Sequence, residues 1–271
     1  MAPTLQALRE NVSATRRILQ TDLEDKRAAR RNPPAVDLDE RQRRALAQLR
    51  RDGYAVVPNY WDRDRALKLR DKLEAYLEPG TDQEYPEGAW LRFWDGRPHD
   101  QGVRRLYHVD KVVPELREAR FDPFVLDIAT TYYGMQFHSG LLMFQHNTQS
   151  NEQTRYYHVD SFVREFKSFV YLDDVDEGNG PFAYIPGTQK QHLRRIRKQV
   201  VGNAEGQPST SFYPEELGEL LDLESAVTGP AGTLILADVR GLHRGTPQVD
   251  RSRSVLVNYI VKHEGDLELD R

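Results

Sequence analysis

The tripeptide His-Val-Asp occurs twice, at His108–Asp110 and at His158–Asp160, each time preceded by Tyr. In a strand, residues i and i+2 project to the same side, so a His and an Asp at this spacing can take neighbouring positions around one ion. A second His from another strand completes a two-His, one-carboxylate face and leaves the other positions open for substrate and O2. That is the ligand pattern of mononuclear non-haem Fe(II) oxygenases. The two copies differ in context. Asp110 runs into Lys111-Val112-Val113-Pro114-Glu115-Leu116, a helix or loop, so this copy is either a competing ligand pair or a surface or lid segment. Asp160 is followed by a strand, a tight turn, another strand and a Pro-Gly turn. Far downstream, His243 lies just past an expected strand over Thr233–Asp238. His158, Asp160 and His243 are therefore the candidate metal ligands and the catalytic set. Arg253 follows on the next expected strand, where a guanidinium can pair bidentately with the far carboxylate of an α-keto-acid cosubstrate. Arg251, two places earlier on the same face, competes with it.

Composition narrows the chemistry further. The chain has 271 residues and 0 Cys, which excludes disulfide scaffolds, Cys-ligated zinc, iron–sulfur clusters and thiol catalysis. Lys+Arg number 38 against Asp+Glu 42, a net charge of −4 that argues against a nucleic-acid partner. No run approaches the roughly 18 apolar residues that span a bilayer, so no membrane association is expected. Met1 to Leu8 lack a basic region followed by an apolar one, so no secretory signal is read and a cytoplasmic protein is expected.

Helices come first. Residues 1–34 form a charged arm: Leu5, Leu8, Val12, Thr15 and Leu19 recur at three and four residues and put one narrow stripe on a helix that Asn32-Pro33-Pro34 stops. The arm is either a homodimerising or docking element or a helix lying on its own domain. Asp37 with Glu40 resembles a capping box for a second helix ending at Gly53. Tyr54–Val57 reads as a strand, Asp62 caps a helix with Ala66, Leu69, Leu73 and Tyr76 on one face, and Asp122-Pro123 opens another that ends at Gly134. From about residue 135, short aliphatic and aromatic runs are split by turn residues such as Gly178-Asn179-Gly180-Pro181 and Pro186-Gly187. This texture points to an α+β chain with a mainly β, jelly-roll-like core flanked by N-terminal helices, residues 35–271 forming one domain.

The stretches Tyr157-His158-Val159-Asp160, Phe169-Val170-Tyr171-Leu172-Asp173-Asp174 and Gly178 through Lys190 resemble the phytanoyl-CoA dioxygenase family of Fe(II)/2-oxoglutarate oxygenases. So do Asp52–Val57 and Gly232-Thr233-Leu234-Ile235 leading to His243 and Arg253, and the likeness covers about residues 40 to 262. The resemblance implies a double-stranded β-helix (cupin-like jelly roll). It implies Fe(II) at His158, Asp160 and His243, the far carboxylate of 2-oxoglutarate at Arg253, Gln145 helping to hold that cosubstrate, and Phe169 packing beside it. Two positions depart from the family pattern: Tyr157 stands where Trp is common, and Thr188-Gln189 where Ser-His is. The implied reaction uses O2 to hydroxylate an unactivated C–H of a small molecule and releases succinate and CO2. Desaturation or cyclisation on the same centre, or a catalytically silent jelly-roll binding protein, are the alternatives. An Asp at position 160 vacates no ligand site for halide, which argues against a halogenase.

Substrate contacts are expected from residues 87–110. Trp90 and Trp94 offer rings for stacking, Arg97 adds a further cation, and Arg104 and Arg105 offer cations for an anionic group. The glycines and proline among them suit a lid. A second basic run (Lys190, Arg194, Arg195, Arg197, Lys198) opens an insertion that either borders the entrance or is a solvated face.

Overall fold

The helices form where capping signals bracket an apolar face. In the computed structural model, which describes residues 5–77, 85–94, 102–148, 156–190, 210–265 and 267, α1 spans Leu5–Arg31 and ends before the two prolines. α2 (Glu40–Asp52) buries Ala45, Leu46 and Leu49 and stops at Gly53, whose φ of 90° makes a left-handed cap. Its capping box is Asp39 with Gln42 rather than the expected Asp37 with Glu40. Asp39 accepts the Gln42 N–H at 2.7 Å, and Gln42 accepts the Asp39 N–H at 2.9 Å. Starting the helix at Glu40 leaves Leu38 outside it, free to bury in the core. α3 (Arg63–Glu74) starts at Asp62 and buries Ala66, Leu69 and Leu73. After the short turns α4 (Val109–Val112) and α5 (Arg117–Arg120), α6 (Pro123–Tyr133) runs between its Asp122 cap and Gly134.

Twelve strands build two antiparallel sheets among the described residues. They are β1 (Tyr54–Val57), β2 (Trp90–Trp94), β3 (Val103–Tyr107), β4 (His138–Asn147), β5 (Tyr157–His158), β6 (Phe166–Tyr171), β7 (Phe182–Tyr184), β8 (Ser211–Phe212), β9 (Ser225–Val227), β10 (Leu234–Asp238), β11 (His243–Gly245) and β12 (Arg253–Val261). The large sheet has the order β1-β10-β6-β12-β4-β3-β2, and the small one β8-β5-β11-β7-β9. The fold is the jelly roll that the texture of the sequence suggested.

Strand alternation sorts the large sheet's residues onto two faces. Leu142 and Phe144, Leu234 and Leu236, and Leu256 turn outward onto the helices, in one core with Leu46, Leu49, Leu69 and Ile128. Leu141 and Met143, Ile235, and Val255 and Val257 turn inward and meet Phe182, Tyr184 and Val227 of the small sheet. Both faces are covered, which is why these strands read as nearly continuous apolar runs.

Two expectations change. Residues 90–94 and 103–107, read as part of a lid, are paired strands: β2 extends β3, and β3 pairs with β4 from Val103↔Asn147 to Tyr107↔Met143. The arm docks by a different face from the predicted stripe. Asn11, Asp22 and Asp25 are buried, while Val12, Leu19 and Leu23 are exposed. Asp22 lies 3.9 Å from both Arg164 and Arg240, Asp25 lies 3.3 Å from Lys262, and Ile18 packs on a small apolar cluster around Tyr157 and Leu242. Charge pairing selects this face, because the body beneath it presents guanidinium and ammonium groups. No helix among the described residues is long and apolar enough to cross a membrane. Arg97 and the run Arg194–Lys198 fall outside the described residues.

Candidate metal centre

The small sheet carries both imidazoles. β11 lies between β5 and β7, and its register sets His243 directly opposite His158. The ring centroids are 4.5 Å apart. His243 is placed by the turn before it. The Gly241 N–H donates to the Asp238 carbonyl, the Leu242 N–H donates to Thr188 Oγ1 at 2.9 Å, and the Ile185 N–H donates to the Leu242 carbonyl. Thr188, one of the two departures from the family pattern, is thus the side chain that pins this turn. Position 241 must be glycine, since any Cβ there would run into the Tyr184 hydroxyl. Sequence reading put His243 merely beyond a strand. The structure gives it a strand of its own.

Asp160 arrives by another route than the expected strand alternation. β5 ends at His158, and Asp160 sits past it with its N–H donated to the Val239 carbonyl at 3.1 Å. Its Oδ1 lies 3.5 Å from His158 Nε2 and its Oδ2 3.2 Å from His243 Nε2. One donor atom from each of the three residues falls within 4.8 Å of the others.

The proton inventory of this cluster decides what it can hold. His158 Nδ1 faces the Tyr156 carbonyl at 3.3 Å and His243 Nδ1 the Gly241 carbonyl at 2.9 Å. A carbonyl only accepts, so each Nδ1 carries a proton and each ring turns its Nε2 edge toward Asp160. Burial first, then the neighbouring His243, pushes the His158 pKa down to about 4, so the ring is neutral near pH 7. Burial alone would raise the Asp160 pKa; Lys167 and then the two imidazoles outweigh it and hold the carboxyl well below its usual range. Two imidazole Nε2 atoms and a carboxylate thus converge on one point. Nitrogen and oxygen donors without sulfur, on one face, suit a divalent first-row ion with open positions such as Fe(II). The backbone bonds to Nδ1 orient the rings, as such partners do for metal-ligating imidazoles.

The triad opens on a cavity of about 480 Å³ between the sheets, within the usual range of roughly 300–1,000 Å³ for ligand pockets. Arg253, Gln145 and Phe169 line it, as does Arg105. Arg253 is 4% exposed and donates through Nη1 to the Gly180 carbonyl. Burial draws its pKa down, against the pull of Tyr171 and Asp173. Arg251 instead lies at the surface, paired with Asp176 at 2.6 Å and Asp250 at 3.2 Å. Arg105 Nε donates to Gln145 Oε1 at 2.7 Å, and Gln145 Nε2 donates to Asn147 Oδ1 at 2.9 Å, a row across β3 and β4 beside Arg253. Phe169 packs on Phe182 at 4.9 Å, and Phe182 on the His243 ring at 5.7 Å, an aromatic wall within the cavity.

Other candidates lie elsewhere. Arg104 is on the opposite face of β3 from Arg105, across from His146. Trp90 stacks on Tyr107 with centroids 3.9 Å apart and does not line the cavity. The first His-Val-Asp copy forms no convergent site: His108 has a left-handed φ of 52° at the start of α4, and Asp110 is buried against Arg120 at 3.0 Å.

Sequence reading missed Lys167. It lies on the inner face of β6, 7% exposed, with Nζ 2.8 Å from Asp160 Oδ2 and 3.9 Å from the centre of the Tyr259 ring. Burial acts to lower its pKa, and Asp160, Tyr259 and Glu165 outweigh it, so the ammonium stays charged. A signal existed: a lone Lys at an inward position of the run Phe166–Leu172, whose other inward residues Phe169 and Tyr171 are aromatic, is costly unless paired.

The sequence profile of the phytanoyl-CoA dioxygenase family (PhyH) matches residues 49–255. Ectoine dioxygenase from Stutzerimonas stutzeri (strain A1501) is 24% identical over 255 residues, covering 85% of this chain and 78% of that protein. Among solved structures, EctD from S. alaskensis with bound Fe superposes with a TM-score of 0.62 at 18% identity, covering 89% of this chain and 85% of that one. SnoK, the non-heme alpha ketoglutarate dependent carbocyclase from nogalamycin biosynthesis, gives 0.57 at 18% identity, covering 83% and 84%.

Proposed function

The chain belongs to the phytanoyl-CoA dioxygenase family of Fe(II)- and 2-oxoglutarate-dependent enzymes, and from that premise we propose that it hydroxylates an unactivated C–H bond of a small molecule at a centre formed by His158, Asp160 and His243. The observation that carries this reading is the convergence of two imidazole Nε2 atoms and one carboxylate on the wall of a cavity. Fe(II), once bound, supplies the chemistry of O2: it couples decarboxylation of 2-oxoglutarate to succinate and CO2 with insertion of one oxygen atom into the substrate.

The chain's residues have narrower tasks. His158, Asp160 and His243 hold the metal from one side and leave the other side to small ligands. Arg253 presents a buried guanidinium to the far carboxylate of 2-oxoglutarate, and Gln145 fixes the polar wall beside it. Phe169 and Phe182 keep water from this end of the cavity, which strengthens every charge interaction inside it. Among the described residues of β2 and β3, Arg105 lines the cavity, and it is the candidate contact for a polar or anionic group of the substrate.

The test is direct. Anaerobic Fe(II) titration followed by succinate release on admitting O2 is expected to succeed with the parent chain. The His158→Ala variant is expected to lose at least about a thousandfold in succinate formation. Full succinate formation in that variant would remove the assignment.

A further inference from the structure

Among the described residues, Lys167 is the one ammonium or guanidinium group that touches the Asp160 carboxylate, and its position is over-determined. Its strand, β6, is paired on both edges, with Lys167 opposite Ala237 of β10 and Tyr259 of β12. Its side chain is 8% exposed, its ammonium rests against the Tyr259 ring, and Nζ meets Asp160 Oδ2 at 2.8 Å. The other carboxylate nearby, Glu165, stands at 3.8 Å, beyond hydrogen-bond reach. The Asp160 main chain is tied separately, through its N–H to Val239. The carboxylate is thus gripped at its backbone and at one oxygen. Oδ1 lies 3.5 Å from His158 Nε2.

We propose that Lys167 is a positioning residue of the metal centre: by holding Oδ2 it restricts Asp160 to a single-oxygen ligand. The consequence is a count of positions. An octahedral ion held by two imidazoles and one carboxylate oxygen keeps three sites, enough for the two oxygens of an α-keto acid and for O2. A carboxylate that bound through both oxygens would consume one of them, and the keto acid would then fill the rest. A buried Lys whose hydrogen-bonded carboxylate belongs to the triad is expensive to keep for stability alone, since an apolar pair of like volume does as well.

This inference rests on the metal reading above, so the experiment separates the two. The parent chain, Lys167→Met and Lys167→Arg are each loaded anaerobically with Fe(II), then with 2-oxoglutarate, then with nitric oxide as a mimic of O2. Fe(II) affinity is followed by calorimetry and the nitric oxide adduct by electron paramagnetic resonance. Failure of the parent chain to bind Fe(II) would defeat the metal reading itself. With that binding in place, K167M is expected to bind Fe(II) within about threefold of the parent. It is expected to lose at least about nine-tenths of the nitric oxide adduct once 2-oxoglutarate is present, while K167R, which keeps a charged donor, retains most of it. A K167M adduct equal to the parent's in the presence of 2-oxoglutarate overturns the proposal. Should K167M fail to fold by thermal melting, Lys167→Gln, whose neutral side chain ends one atom short of Asp160, is read in the same way.

Discussion

At the level of single residues, position within a strand separates side chains that look alike in sequence. Arg251 and Arg253 share a type and stand two residues apart, yet β12 begins only at Arg253: Arg251, just before it, is a surface cation tied to Asp176 and Asp250, and Arg253 is buried on the cavity wall. Burial gives Arg253 its value, because a guanidinium away from water gains more from a carboxylate than an exposed one does. Arg253→Lys should therefore raise the KM for 2-oxoglutarate by roughly tenfold or more, the loss of a bidentate charge-assisted pair being worth about 1.5–3 kcal/mol. Arg251→Ala should leave that KM within about twofold, as expected of an exposed ion pair. Steady-state succinate assays at varied 2-oxoglutarate check both. The same contrast divides Arg105 from Arg104, one residue apart on β3 and on opposite faces of the sheet. Residue type was legible in each case. Inward or outward placement was legible only once the strand was known.

At the level of elements, the centre depends on a three-residue strand. β11 is held between β5 and β7, and a slip of one residue would turn His243 away from His158. The turn before it stores that register, and Gly241 is its tightest point, packed against the Tyr184 hydroxyl that donates to the Asp238 carbonyl at 2.8 Å. Gly241→Ala should destabilise the fold by about 1–3 kcal/mol through overpacking. It should also weaken Fe(II) binding, since His243 is two residues on; thermal melts with and without metal measure both effects. Helix ends were largely readable in sequence, because caps are local chemistry: Asp62, Asp122, Gly53 and Gly134 all end helices as read. β2 and β3 were not read as a pair, although Trp90–Trp94 and Val103–Tyr107 carry β-formers. β2 is sheet only through β3, and β3 through its ladder with β4, some forty residues away in sequence, and no local pattern announces a partner at that distance.

For the whole molecule, α1 shows how tertiary charge overrides an apolar pattern. The regular spacing of Leu5, Leu8, Val12 and Leu19 suggested the face of contact, but the body beneath offers Arg164, Arg240 and Lys262, and the helix turns Asp22 and Asp25 to them. Removing residues 1–31 should expose the cluster around Tyr157 and take Asp22 from Arg164 and Asp25 from Lys262, while Arg240 keeps Asp238 at 2.7 Å. The expected result is a fall in Tm of several degrees, at about 2–4 °C per kcal/mol for a chain of this size, with one Fe(II) still bound per chain; differential scanning calorimetry and metal analysis test it. The sequence by itself determined the donor set, because with 0 Cys only His, Asp and Glu remain to hold a metal. It also determined the β texture that carries that set and the capped helices that cover it. Only the tertiary structure decided which His-Val-Asp copy meets a second imidazole, and how Asp160 reaches it through Val239. It alone placed a buried Lys167 on the carboxylate. Those three outcomes depend on contacts between segments distant in the chain, and such contacts are set by sheet register and burial, which composition and spacing do not encode locally.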